Sequence, residues 1–177
     1  MCLIHFYLIN GIEGLFLFLD YKNLVESDSN VKIILLPQEK NETDLFACAL
    51  DGLLEGFKEF TFVFCTGGRL DHFMGALAIL EYLNSNDASG IIIDSKNIIM
   101  FLKDKEIEII NDDRFKYLSI MPLDEKLIGV TTQGLKYKLD DENVLRELGL
   151  SISNEIVEST AKVKIRKGSA LIIRSFD

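Results

Sequence analysis

The hydrophobic repeat changes period part-way along the chain, and this change limits the fold more than any single motif does. Up to about Asp94, short apolar runs alternate with helical spacing. Runs at 31–36, 61–65 and 90–93 read as buried strands, and Pro37 closes the first. Between the first two, Phe46, Ala49, Leu50, Leu53, Leu54 and Phe57 recur on one helical face, with Asn41 or Thr43 placed to cap it. Leu70, Phe73, Met74 and Leu77 start a second amphipathic helix running to about Asn84. Strand, helix, strand, helix, strand predicts a parallel sheet with crossover helices. Past Asp94 the helical period is lost. Short strand candidates follow at 98–102, 107–110, 117–121, 127–130, 135–139, 161–165 and 171–174, punctuated by Gly129, Gly134 and Gly168. Lys167-Gly168-Ser169 reads as a hairpin turn between the last two. This half predicts an antiparallel sandwich or barrel. The expected fold class is therefore α/β followed by β, with a shortened three-layer-type parallel-sheet domain at 1–95 and an antiparallel β-domain at 96–177.

Charge and cysteine content narrow the function classes. A net charge of −9 argues against a nucleic-acid backbone as partner, which calls for clustered Lys and Arg. It leaves room for a small anion held by local cations or a metal. Cys2, Cys48 and Cys65 have no metal-ligand spacing, and an odd count gives no disulfide framework. Reduced thiols in apolar runs fit a reducing, cytoplasmic setting. The apolar stretch at 1–19 contains His5, Asn10, Gly11, Glu13 and Gly14, with no basic start. A carboxylate in mid-span costs roughly 2.5–3.5 kcal/mol, so two strands at 3–9 and 15–19 are expected rather than a membrane span.

Two segments carry phosphate and metal chemistry. Pro37-Gln38-Glu39-Lys40-Asn41-Glu42-Thr43-Asp44 and Thr66-Gly67-Gly68-Arg69-Leu70-Asp71-His72 each follow an expected strand and open an expected helix. Paired glycines let backbone approach a phosphate, and a helix N-terminus offers unpaired N–H groups. Arg69 has the fork that grips phosphate oxygens, and Lys40 adds a point charge. Asp44 and Asp71 are hard oxygen donors of the kind Mg²⁺ takes beside phosphates, and Asp20 at another strand end joins them. The same acids are also what helix caps and first turns favour, Gly67-Gly68 also fits a plain turn, and His72 fits a local hydrogen-bonding role. In adjacent crossovers, though, both loops fall on one sheet edge, where ligands bind.

A third segment lies in the β-rich half. It comprises 129–139, with Thr131, Thr132, Gly134, Lys136 and Tyr137, followed by Ser151-Ile152-Ser153-Asn154-Glu155. Tyr137 could offer a ring face to a cationic heteroaromatic ring, and Ser153 and Asn154 could bond a polar ring edge. By the residues alone, a hairpin and a polar turn are the favoured account of it.

Four ordered segments resemble the thiamine pyrophosphokinase family: 39–44, Gly67-Gly68-Arg69-Leu70-Asp71-His72, Gly134-Leu135-Lys136-Tyr137 and Ser153-Asn154-Glu155. The resemblance implies an ATP-binding catalytic domain at 1–95 and a thiamine-binding β-sandwich at 96–177, in a homodimer that shares its active sites. It implies transfer of pyrophosphate from ATP to the thiamine hydroxyl, with Mg²⁺. Asp20, Asp44 and Asp71 would serve the metal, and Asp44, Asp71 and Arg69 catalysis. Lys40, Thr43, Gly67, Gly68, Arg69 and His72 would bind ATP. Thr132, Gly134, Lys136, Tyr137, Ser153 and Asn154 would bind thiamine.

The chain also departs from the family pattern. The family's opening Asp-Gly-Gly strand and helix have no counterpart, and its Gly-Asp-Phe-Asp-Ser aligns with Leu19-Asp20-Tyr21-Lys22-Asn23. Lys22 replaces an acid, and Asn41 replaces another. These departures carry a second expectation: a weak or inactive truncated paralogue that binds thiamine or nucleotide without turnover. A nucleotide domain joined to an unrelated β-module is a third.

Overall fold

In the computed structural model, which describes residues 43–63, 65, 66 and 68–177, the first expected helix forms as α1 (Asp44–Leu54). The Thr43 hydroxyl accepts from the Phe46 N–H at 3.3 Å. Such a cap stabilises by about 1 kcal/mol. The helix stops because Gly56 adopts φ +91°. Its N–H then donates to the Leu53 carbonyl and that of Phe57 to the Gly52 carbonyl. This is the left-handed termination that glycine favours. Leu54, expected on the buried face, is exposed at this end.

The second helix, α2 (Leu70–Ser85), links β1 (Glu59–Val63) to β2 (Ser89–Ile93), which are parallel. It buries Ala76, Ile79, Leu80 and Leu83, whereas Leu70 and Met74, expected to face inward, are exposed. The helix lies tight on the sheet at Gly90, where a Cβ would meet Leu83 at 2.7 Å. Each fully buried leucine or isoleucine here, such as Leu80, Leu83 and Ile92, contributes about 1.5–3 kcal/mol.

The remaining strands are β3 (Asn97–Lys103), β4 (Glu106–Ile110), β5 (Tyr117–Pro122), β6 (Lys126–Gln133), β7 (Glu142–Leu145), β8 (Asn154–Glu155), β9 (Thr160–Lys167) and β10 (Ser169–Ser175). One sheet runs β1-β2-β3-β10-β5-β8 and the other β4-β9-β6-β7. Among the described residues every pairing other than β1–β2 is antiparallel. Strand alternation puts Leu102, Leu118, Ile120, Ala170 and Ile172 into a core shared with Val130, Val163 and Ile165 of the second sheet. Ile99 and Leu171, on the opposite face, join the core beneath α1 and α2. The larger sheet is thus a middle layer, with helices on one side and the smaller sheet on the other.

Three features differ from the sequence expectation. The first sheet is mixed: within it β1–β2 is the parallel pair, and the strands expected at 3–9, 15–19 and 31–36 lie outside the described residues. Residues 135–139 form no strand. Gly134 takes φ +70°, and the chain keeps a single bridge, Leu135 to Ile156, because its other backbone groups bond the 153–157 segment and Thr132. Gly168 does not make a hairpin. β9 and β10 belong to different sheets, and Gly168, at φ +119°, turns the corner between them. Its N–H donates to Asp104 Oδ1 at 2.7 Å, and its carbonyl accepts from the Asp104 N–H. The division expected near residue 95 falls at the β2–β3 turn inside the continuous sheet, with the two cores on either side of that sheet. Among the described residues no helix is long and apolar enough to cross a membrane.

Candidate functional site

Register across the larger sheet lines up one edge. Val63 pairs with Ile93, Ile93 with Ile98, Asn97 with Ser175, Ser175 with Tyr117, and Tyr117 with Glu155. The segment after β1, the β2–β3 turn, the end of β10, the start of β5 and the end of β8 therefore share this edge. The N-termini of α1 and α2 point to it as well, since α1 leads back to the start of β1 and α2 leaves its end. Two of the expected segments sit at its two ends.

At the β1 end, Arg69 and Asp71 meet. Arg69 Nε donates to Asp71 Oδ1 at 3.2 Å and Nη2 to Oδ2 at 2.6 Å. Both side chains are more than 60% exposed. The His72 N–H also bonds Oδ1. The guanidinium hydrogen bond, assisted by that N–H, holds the Asp71 carboxyl at about 2 and raises Arg69 in return. The pair offers solvent a fork and a carboxylate on the first turn of α2, where anions and acids are favoured. Gly68 has open space where a Cβ would stand, so backbone is accessible there. His72 is exposed and contributes its backbone N–H. Behind them, Cys65 is partly buried, and burial pushes its thiol up to about 11. Neither Cys48 nor Cys65 is in a disulfide among the described residues.

Asp94, which the sequence reading passed over, is part of this end. The Thr66 hydroxyl donates to its Oδ2 at 2.5 Å, while Oδ1 accepts from the Lys96 and Asn97 N–H groups at 2.7 Å each. Burial works to raise the carboxyl, but the hydrogen bonds from Thr66, Lys96 and Asn97 outweigh it and hold it low. The signal was available: an acid at the C-terminal end of a strand parallel to the one before the glycine pair.

At the β8 end, the structure gathers Gly134, Lys136, Tyr137, Ser153 and Asn154. Asn154 is buried, and its Oδ1 accepts from the Tyr137 and Glu155 N–H groups while Nδ2 donates to the Tyr137 carbonyl. Its amide thus joins the two segments. Tyr137 is 63% exposed with Lys136 Nζ 5.6 Å from its ring centroid. Lys136 also pairs with Glu155 at 3.0 Å, which lowers the Glu155 carboxyl and raises the lysine. Ser153 sits exposed at φ +60°. Thr132 is buried, and its hydroxyl accepts from the Leu139 N–H. It braces the loop from behind.

Asp44 opens α1 and Thr43 caps it, while Lys40 and Asp20 lie outside the described residues, as does the placement of Gly67. Among the described residues no three His, Cys, Asp or Glu side chains converge to hold a metal.

Residues 104–170, which carry the Tyr137–Asn154 cluster, match the thiamin pyrophosphokinase vitamin B1 binding domain. The crystal structure of thiamin pyrophosphokinase from Geobacillus thermodenitrificans superposes with a TM-score of 0.73 at 30% identity, covering 89% of this chain and 72% of that one. The chain belongs to the thiamine pyrophosphokinase family. The family's crystal structure from Bacillus subtilis gives a TM-score of 0.80 at 25% identity, over 97% of this chain and 78% of that one. In sequence, thiamine pyrophosphokinase of Bacillus subtilis (strain 168) is 34% identical over 140 residues, 78% of this chain. Thiamin pyrophosphokinase 1 of Caenorhabditis elegans is 29% identical over 153 residues, 81% of this chain. The chain spans 65% and 61% of the length of these two relatives.

Proposed function

We propose that the chain transfers pyrophosphate from ATP to thiamine, giving thiamine diphosphate and AMP. One observation carries this reading: a chain of this family places an arginine–aspartate helix terminus and an exposed aromatic loop at the two ends of one sheet edge. The first suits a triphosphate and the second a cationic thiazolium ring. The thiamine oxygen attacks the β-phosphorus in line, the bond from that phosphorus to the α-phosphate oxygen breaks, and AMP leaves. The chain's own contribution is positioning and charge neutralisation. Arg69 releases Asp71 and takes phosphate oxygens, with Gly68 and the α2 N-terminus beside it; Lys40 and Gly67, which lie outside the described residues, are assigned to the phosphates by the family resemblance alone. Thr43 and His72 flank the same phosphates. Asp44 and Asp71 are the two carboxylates that can take the proton of the thiamine hydroxyl. The donor chemistry suits Mg²⁺, which takes one or two carboxylates beside phosphates, with Asp44, Asp71 and Asp20 to hold it. When bound, Mg²⁺ would offset the phosphate charge. Tyr137 stacks on the thiamine, and Lys136, Ser153, Gly134 and Thr132 shape its loop, pinned by Asn154.

Five strand-to-strand steps separate Val63 from Glu155, roughly 24 Å at about 4.8 Å each. Reacting atoms must come within about 3–3.5 Å. We therefore assign the active site to two copies, the β1 end of one facing the β8 end of the other, in a cytoplasmic homodimer with domains at 1–95 and 96–177. Exposed Leu148, Leu150, Ile152 and Val157, beside the Tyr137 loop, supply apolar surface for it. Lys22 and Asn41, in place of acids, support a second reading, binding without turnover. Incubation with ATP, Mg²⁺ and thiamine separates the two. Equal amounts of thiamine diphosphate and AMP are expected. Folded protein that binds both substrates and yields neither product would establish the second reading.

A further inference from the structure

We infer that Asp94 is a positioning residue for the nucleotide end of the site, acting through the Thr66 hydroxyl. The inference rests on the reading that Arg69 and its neighbours hold the nucleotide.

The β2–β3 turn needs only one oxygen of Asp94. Oδ1 accepts from the Lys96 and Asn97 N–H groups, and the Asp94 N–H donates to the Asn97 carbonyl at 2.9 Å. These bonds close the turn without help from elsewhere. Oδ2 reaches in another direction, to Thr66, 28 positions earlier and just past the neighbouring parallel strand. Asn97 Nδ2 lies 3.2 Å from both oxygens and steadies the carboxylate between its two tasks.

The chemistry of the hydroxyl assigns its role. Thr66 has one O–H proton, and a carboxylate that can only accept claims it. That proton is then not available to a phosphate oxygen. Thr66 is a strut, and what it fixes is the backbone leading into Gly68 and Arg69. Arg69 begins α2 with no side-chain cap of its own. Its fork and the α2 N-terminus can be aimed only as well as the segment before them is held. A hydrogen bond to a charged group is stronger than a neutral one, so Asp94 is a firm anchor for a segment that otherwise faces solvent.

The test uses Mg-ATP and thiamine binding to the full chain by calorimetry, each measured separately. Thr66→Val keeps side-chain shape and leaves every turn bond of Asp94 in place. It is expected to weaken Mg-ATP binding about tenfold and leave thiamine affinity unchanged. Thr66→Ser restores the hydroxyl and should restore affinity. Asp94→Ala should weaken Mg-ATP binding at least as much, and adding Thr66→Val to it should do little more. Thr66→Val binding Mg-ATP like the parent would overturn the inference, leaving Asp94 as a turn residue. Should Asp94→Ala not fold, Thr66→Val and Thr66→Ser still decide. Arg69→Ala serves as the control on the underlying reading. If it does not weaken Mg-ATP binding, the nucleotide site itself lies elsewhere. If it does and Thr66→Val does not, only the role of Asp94 falls.

Discussion

The two ends of the shared sheet edge are built on opposite principles. At the β1 end, Arg69 and Asp71 are exposed and bonded to each other, and the segment before them is tied to the sheet through Thr66 and Asp94. At the β8 end, the Tyr137 loop is stitched down by buried Asn154 and Thr132, with the Lys136 N–H on the Glu155 carbonyl and the Val157 N–H on the Gly134 carbonyl. The first end leaves its charged groups in solvent, where they can exchange partners, as the proposed nucleotide site requires. The second holds a nearly rigid shape, which suits recognition of a flat ring by one exposed aromatic face. Stability and binding should therefore separate between the ends: substitutions at the β8 end should unfold the chain, and those at the β1 end should spare the fold and strike the ligand.

The sharpest test of the rigid end is Gly134→Ala. Gly134 has φ +70°, and a Cβ there would stand 2.1 Å from the Thr160 carbonyl oxygen. Backbone must shift to admit it. We expect a loss of about 3–5 kcal/mol in urea unfolding, combining left-handed strain with a clash against backbone. A loss under about 1 kcal/mol would show that the loop adapts, and the contrast between the ends would weaken. Asn154→Ala should come next, at about 2–4 kcal/mol. It removes three hydrogen bonds and strands the Tyr137 N–H and carbonyl at a half-buried site. Asn154→Asp, which keeps the acceptor and loses the donor, should fall between that variant and the parent.

The same contrast explains what could be read in the sequence. Strands with several inward side chains were legible, because apolar period and chain direction agree over five or more residues. β3, β5 and β9 extend the expected runs by no more than two residues at either end. β7 escaped notice because Val144 is its one buried side chain, and β8 because two residues carry no period. Residues 135–139 have the composition of a strand but follow a left-handed glycine, and their backbone partners lie across the loop rather than in a sheet. Gly168 looks like a hairpin turn because a local signal reports that the chain bends, not which sheet receives it. In the candidate site, charged and glycine positions such as Gly68, Arg69 and Asp71 were proposed by residue type, and the structure places them together at the start of α2. Asn154 was expected to bind a ring edge, and its amide spends its bonds on the loop. Asp94 was missed because it stands alone at a strand end without a motif around it, and its partner Thr66 lies 28 positions earlier.

The smallest effect on the fold should come from Arg69→Ala, and it probes the other side of the comparison. The ion pair with Asp71 is short and two-pronged, yet both partners stand in solvent. Water replaces each half of such a pair almost without loss, and ordering two side chains offsets most of the attraction. The unfolding midpoint should therefore match that of the parent. Mg-ATP affinity should drop, because a guanidinium fork on phosphate is replaced by nothing. Added salt should narrow the difference between parent and variant, since the lost contact is a screened charge. A variant that unfolds markedly earlier would mean that the pair holds the start of α2 in place. The β1 end would then be a structural joint like its counterpart, and the division of labour along the edge would fail at the point where it is most exposed.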